Sequence, residues 1–273
     1  MMAGMVVAAR VRTVDGDENI VRDDLLVVEE PLEIRLGHGP LDQRREVRLS
    51  VTMRTPGQDE DLVRGFLHTE GIVADGAGLL RVVPCANVKE EERGNVMRAE
   101  LHPSVELDPA HWQRNFYTTS SCGVCGKSSI EAVHVLGHHR TTPTATIDPA
   151  IITALPDRMR AEQTTFRHTG GIHAAALFDA RGRVLILRED VGRHNAVDKV
   201  IGAILSGGVT AEGTILLVSG RAGFELVQKC VVAGIPAMAA VGAPSSLAVD
   251  LAKRSGLMLV GFLRGTRYNQ YAP

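Results

Sequence analysis

Apolar positions recur along this chain in two rhythms. In the first third the rhythm is two. Residues 21–29, 32–36 and 46–54 carry branched aliphatics, and the alternation is clearest in Val47-Arg-Leu-Ser-Val51. His38, Gly39 and Pro40 mark a turn between them, so this region predicts strands. A short apolar strand precedes Pro84, and residues 95–101 predict another, with 90–93 a charged, solvated turn. Between these strands, Thr55-Pro-Gly-Gln-Asp-Glu-Asp-Leu62 places three acids ahead of Val63, Phe66 and Leu67. Acids before an apolar face mark a helix start. Residues 127–136 and 151–166 have helical spacing, the second interrupted by Pro156.

From Gly170 the two rhythms alternate regularly. Residues 173–178 and 184–187 predict adjacent strands joined by Asp179-Ala-Arg-Gly182. Val197, Val200, Ile201, Ile204 and Leu205 then fall at helical spacing. Residues 214–218, 237–241 and 257–262 are apolar without alternation, as strands covered on both faces are. Helices at Phe224, Val227, Cys230, Val231 and at 245–254 separate them. Strands alternating with helices predict an α/β layer with parallel strands. A composition shift near 140–150 divides the chain into a β-rich subdomain, 1–145, and an α/β subdomain, 146–273.

Composition narrows the function classes. The chain has 273 residues, 44% hydrophobic and 23% charged, with a formal charge of −2. A near-neutral charge gives no pull toward nucleic acid or an acidic membrane surface, and 4% aromatic residues supply no base-stacking platform. No apolar run reaches membrane-spanning length, and the apolar part of the first ten residues is too short for a secretory signal. Four cysteines in this length are not a disulfide framework. These features predict a cytoplasmic protein with reduced thiols, binding neither nucleic acid nor membrane.

Two of those cysteines stand in Thr118-Thr-Ser-Ser-Cys-Gly-Val-Cys-Gly-Lys127. The run has only Val124 as an apolar anchor, which predicts a mobile loop at 118–127. Cys122 and Cys125 admit three readings: a zinc half-site, a redox pair or a sulfur carrier. Zinc needs two more ligands, and Cys85 and Cys230 stand alone, although His134, His138 and His139 are near in sequence. A carrier needs thiolate character and access, which Lys127 and a following helix N-terminus would favour. Cys230 lies on an apolar helix face and reads as core, and Cys85 also reads as structural.

Three strand-to-helix turns point to an anionic ligand. They are Asp190-Val-Gly-Arg-His-Asn195, Val218-Ser-Gly-Arg-Ala-Gly223 and Val241-Gly-Ala-Pro-Ser-Ser246. Such turns lie at the carboxyl ends of strands, where α/β layers bind ligands. Glycines admit a close approach, helix N-termini favour anions, and Arg193 and Arg221 add bidentate donors. The run Phe262-Leu-Arg-Gly-Thr-Arg-Tyr-Asn269 leaves the last strand carrying two arginines, a hydroxyl and a flexible glycine, which suits a phosphate or guanine-type ligand; the plainer reading is an ordinary basic tail. Zinc deaminase chemistry would need a Glu two residues after His173 and a later cysteine pair. Ala175 stands there and the pair comes earlier, so deamination is not expected.

Several runs together resemble the formate dehydrogenase accessory sulfurtransferase family, FdhD. They are Arg54-Thr-Pro-Gly-Gln-Asp-Glu-Asp-Leu62 with Gly71-Ile72, Ser121-Cys-Gly-Val-Cys-Gly-Lys127, Thr169-Gly-Gly-Ile-His173, Arg188-Glu-Asp-Val-Gly-Arg-His-Asn-Ala-Val-Asp-Lys199, Val218-Ser-Gly-Arg221 and Gly261-Phe-Leu-Arg-Gly265. The resemblance implies a cytidine-deaminase-like mixed sheet flanked by helices, without the metal, behind a β-rich N-terminal subdomain. It implies a sulfur carrier required for formate dehydrogenase activity. A cysteine desulfurase would load a persulfide on Cys122, with Cys125 assisting. The sulfur would pass to the molybdenum cofactor, a bis-molybdopterin guanine dinucleotide, before it enters formate dehydrogenase. The cofactor would lie against Phe262, Leu263, Arg264, Gly265, Thr266 and Arg267, with Ser219, Arg221, Arg193 and His194 beside them, and a guanine nucleotide would mimic it. The resemblance also implies a homodimer. Two alternatives stand beside this reading: a chaperone that holds the cofactor without sulfur chemistry, and a zinc or redox Cys-x-x-Cys protein.

Overall fold

The computed structural model describes residues 4–106 and 147–273. Cys122, Cys125, the loop expected at 118–127 and the helix expected at 127–136 lie outside the described residues.

Three sheets organise the described chain. Strands β1 (Val6–Asp15) and β2 (Glu18–Val27) form an antiparallel ribbon closed by Gly16 and Asp17. Gly16 has φ +58, a conformation that glycine adopts without a Cβ penalty. Strand β1 precedes the strands expected from residue 21 onward. Val7, Val14, Ile20 and Val21 are all exposed, so no buried face imposes a legible alternation.

The second sheet has the order β4-β3-β6-β5, from β3 (Glu30–His38), β4 (Arg45–Arg54), β5 (Leu79–Pro84) and β6 (Val96–Leu101). Strand β3 pairs antiparallel with β4 and parallel with β6. Leu32, Ile34 and Leu36 alternate onto one face, where they meet Leu62, Val63 and Leu67 of helix α1 (Asp59–Thr69).

The third sheet runs β12-β11-β10-β9-β7-β8. Its strands are β7 (His173–Phe178), β8 (Val184–Asp190), β9 (Ile215–Val218), β10 (Ala237–Ala240), β11 (Met258–Arg264) and β12 (Arg267–Ala272). The three unalternating strands, β9, β10 and β11, are mutually parallel and buried on both faces. Helices α4 (Arg193–Leu205), α5 (Phe224–Val232) and α6 (Ser246–Ser255) cover one face. Helix α2 (Pro149–Glu162) covers the other through Ile152, Leu155 and Met159. The result is the expected α/β fold of mixed sheets flanked by helices, with a strand-rich N-terminal region. The four-stranded sheet falls before the undescribed stretch and the six-stranded sheet after it.

Two expectations are corrected. The helix predicted over 151–166 is two helices, α2 and α3 (Thr164–Thr169), and the break falls at Gln163 rather than at Pro156. Glu189 of β8 explains the break: its carboxylate accepts the main-chain N–H groups of Thr165 and Phe166, both at 2.8 Å. The tail expected after β11 instead turns back as β12, antiparallel to β11.

Helices α1 and α4 join the two larger sheets at close range. A Cβ on Gly65 would overlap the Asp198 carbonyl, and one on Gly202 would overlap the Asp61 carbonyl. Two glycines therefore set the spacing. A buried polar cluster completes the contact: Lys229 Nζ lies 2.9 Å from both Asp198 carboxylate oxygens and donates to Thr69 Oγ1 at 2.8 Å.

Candidate functional site

The carboxyl ends of β8, β9, β10 and β11 lie at one edge of the six-stranded sheet, together with the start of β7. The three turns singled out in the sequence therefore do meet. Main-chain hydrogen bonds stitch them together. Ser219 N donates to Ala174 O at 3.0 Å, Gly242 N to Gly220 O at 2.9 Å, and Phe262 N to Gly242 O at 3.0 Å. A Cβ on Gly242 would lie 3.0 Å from Gly220 O and 3.1 Å from Arg221 Cα, so this crossing leaves little room for a side chain.

Ser219 Oγ accepts from Ala174 N at 3.0 Å and sits 3.4 Å from His173 Nδ1. A Cβ on Gly220 would lie 3.7 Å from the His173 ring and 3.9 Å from Arg193 Cδ, so His173 and Arg193 flank that glycine. Burial holds the His173 pKa below the ordinary histidine value, and the positive charges of Arg193 and His194 add to the effect, while Asp190 opposes it. His173 is thus a neutral ring beside a guanidinium. His173 is not among the site residues expected from the sequence. Its signal was the Gly170-Gly171 pair just before it.

The segment from Phe262 to Arg267 forms the end of the β11–β12 hairpin. Phe262 has φ +53, which a non-glycine residue adopts only under constraint, and its side chain is exposed. Arg264 and Arg267 face each other across the hairpin, with Gly265 at φ +54 and Thr266 between them. Like charges in such a pair repel. Leu263 is in the core, so only its main chain is available to a ligand. Arg193, Arg221, Arg264 and Arg267 have no carboxylate partner among the described residues, whereas Arg35, Arg44, Arg54, Arg98 and Arg188 are all paired. An edge that leaves four guanidiniums uncompensated suits an anion.

His194 belongs to a different arrangement. Its Nε2 lies 2.7 Å from Glu225 Oε2, linking the first turns of α4 and α5, and both side chains are largely buried. The rest of its motif is also internal. Arg188 pairs with Asp61, Asp190 with Lys199, and Asn195 Nδ2 donates to Met53 O at 2.8 Å. Asp190 Oδ2 accepts the N–H of Thr55 at 3.2 Å, and Lys199 donates to Thr55 O at 2.9 Å. Two runs far apart in sequence, 54–61 and 188–199, thus hold each other, while Arg193 flanks Gly220.

Neither described cysteine is activated. Cys230 is fully buried, which pushes its thiol far up, and burial also raises Cys85. No group of three or more possible metal ligands occurs among the described residues, and the Cys122–Cys125 pair lies outside them. No helix among the described residues is long and apolar enough to cross a membrane.

A family model described as FdhD/NarQ matches residues 27–273. The chain belongs to the FdhD/NarQ family. A Streptomyces avermitilis relative is 52% identical over 92% of this chain and 88% of its own length. A Mycobacterium tuberculosis relative is 49% identical over 96% of this chain and 95% of its own. Both carry the name sulfur carrier protein FdhD. A solved structure from Desulfotalea psychrophila, described as a formate dehydrogenase accessory protein, superposes with a TM-score of 0.75. It covers 98% of this chain and 97% of that one at 23% identity, which shows the fold alone. The glycine-stitched edge and its arginines thus belong to an FdhD/NarQ chain.

Proposed function

We propose that this protein is a sulfur carrier for a molybdenum-dependent formate dehydrogenase. The observation that carries the reading is the sheet edge, where glycine turns converge and four arginines lack carboxylate partners among the described residues. Such an edge suits the phosphates of a guanine dinucleotide cofactor, which is the substrate here. The names of the relatives support the sulfur half of the reading.

In loading, the Cys122 thiolate attacks the terminal sulfur of a desulfurase persulfide. A new S–S bond forms on Cys122 and the desulfurase leaves as a thiolate. In discharge, Cys125 attacks Cys122 Sγ, forming a disulfide and releasing hydrosulfide for the metal. The two thiols supply the two electrons that reduce the carried sulfur. The sulfurated cofactor then passes to formate dehydrogenase.

Intact mass spectrometry after incubation with a cysteine desulfurase and cysteine tests this. The wild type should gain the mass of one sulfur atom. Cys122→Ala should lose that gain and Cys125→Ala should keep it. A wild type that gains nothing would sink the proposal.

A further inference from the structure

The four-stranded sheet has a second face. Leu32, Ile34 and Leu36 of β3 point toward α1, so Glu33, Arg35 and Gly37 point the other way. Arg98 and Glu100 of β6 share that outer face, because Met97, Ala99 and Leu101 take the inner one. A cavity of about 430 Å³ opens there, lined from all four strands. Its volume lies in the range of small-molecule sites. It belongs to a different sheet from the glycine-stitched edge.

Gly37 leaves the floor of this face open. A Cβ on it would overlap the Glu100 carboxylate, so glycine lets that carboxylate lie across β3. Glu100 is largely buried and already shared: its Oε2 accepts from Arg44 at 2.7 Å, and its Oε1 lies 2.8 Å from Arg98 Nε. Glu46 is engaged as well, 3.1 Å from Arg98 and 3.4 Å from Arg35. The lining thus sets three guanidiniums, Arg35, Arg81 and Arg98, against two carboxylates that are both in use.

Two of those guanidiniums have donors to spare. Arg98 Nε is buried and makes no hydrogen bond, because its short contact with Glu100 is out of line. A buried donor in that state is costly until an acceptor reaches it. Arg81 stands near Glu100 in the β5–β6 register, yet it forms no ion pair with any described residue. Val83, Pro84 and Ala86 supply carbon surface beside these donors.

We infer that this cavity binds a small organic acid, with a carboxylate held by Arg81 and Arg98 and its carbon skeleton against Val83 and Pro84. A guanidinium presents coplanar N–H donors that match the two oxygens of a carboxylate. The carbon wall and the volume favour an organic acid over a bare inorganic oxyanion.

The test is calorimetric titration of the full chain with succinate, citrate and sulfate. Succinate or citrate should bind, and sulfate should bind at least tenfold more weakly. Arg81→Gln should weaken binding of the organic acid by roughly tenfold, the scale of one charge-assisted contact. It should melt with the wild type, because Arg81 is exposed and unpaired among the described residues. Its affinity for guanosine diphosphate should be unchanged, because the glycine-stitched edge lies on the other sheet. Cys85 also lines the cavity, so a saturating organic acid should slow its alkylation by iodoacetamide, read by peptide mapping. No binding of either organic acid, equal binding of sulfate, unchanged affinity in Arg81→Gln, or unaltered alkylation of Cys85 would overturn the inference.

Discussion

Lys199 Nζ lies 2.7 Å from Asp190 Oδ2, and both side chains are fully buried. Asp190 ends β8 and Lys199 lies on α4, yet the pair also grips Thr55, which lies between β4 and α1. A buried charge keeps its stability only while its partner and hydrogen bonds remain. Lys199→Met should therefore cost about 3–5 kcal/mol, the usual cost of breaking one side of a buried pair. Urea unfolding measures this. Lys199→Met combined with Asp190→Asn should cost less than the sum of the single changes, because the two residues share one interaction.

The α1–α4 contact makes a second prediction. Helix propensity alone would favour Gly202→Ala by about 1 kcal/mol. Here the added methyl would overlap the Asp61 carbonyl, which belongs to a packed helix backbone. Overpacking costs about 1–3 kcal/mol or more, so the net effect should be destabilising. A raised melting temperature in Gly202→Ala would show that the two helices separate without cost.

The hairpin arginines should control anion affinity. Arg264→Ala should weaken guanosine diphosphate binding by roughly tenfold, the scale of one charge-assisted contact. Arg264→Ala/Arg267→Ala should weaken it further and flatten its salt dependence. Affinities unchanged in both variants would remove the hairpin from the site.

His173 adds a pH dependence. Its folded pKa is below the ordinary value of 6.5. Above that value both folded and unfolded forms are neutral and pH has no effect through this group. As pH falls through 6.5, the unfolded chain takes up a proton that the folded one resists, so stability falls. Urea midpoints at several pH values down to about 5 should decline more steeply in the wild type than in His173→Gln. Parallel declines would show that His173 is not held neutral. His68 and His38 are lowered in the same direction and contribute equally to both proteins.

Much of the fold was legible along the chain. The strands β9, β10 and β11 announced themselves as short, unalternating apolar runs, because burial on both faces leaves no polar side to alternate. The three strand-to-helix turns were legible because glycine stood at each strand end, joined by arginine in two of them. Strand β1 was not, because an exposed ribbon imposes no pattern. Strand β12 was not, because Arg267, Asn269 and Gln270 lie on an exposed edge strand and read as a polar tail. The break at Gln163 was hidden because its cause, Glu189, comes from another element.

The sequence by itself determined most of the element types, the parallel core of the α/β layer and the residue types at its glycine-turn edge. Each depends on local periodicity or on residue type at a strand end. Only the tertiary structure decided which motif residues lie at the sheet edge and which are drawn into internal contacts. It drew His194 into a pair with Glu225 and turned most of 188–199 into a clasp on Thr55 and α1. It also brought His173 beside Ser219. Those contacts join positions far apart in the chain, and no local pattern of side chains encodes which distant partner will satisfy a buried polar group.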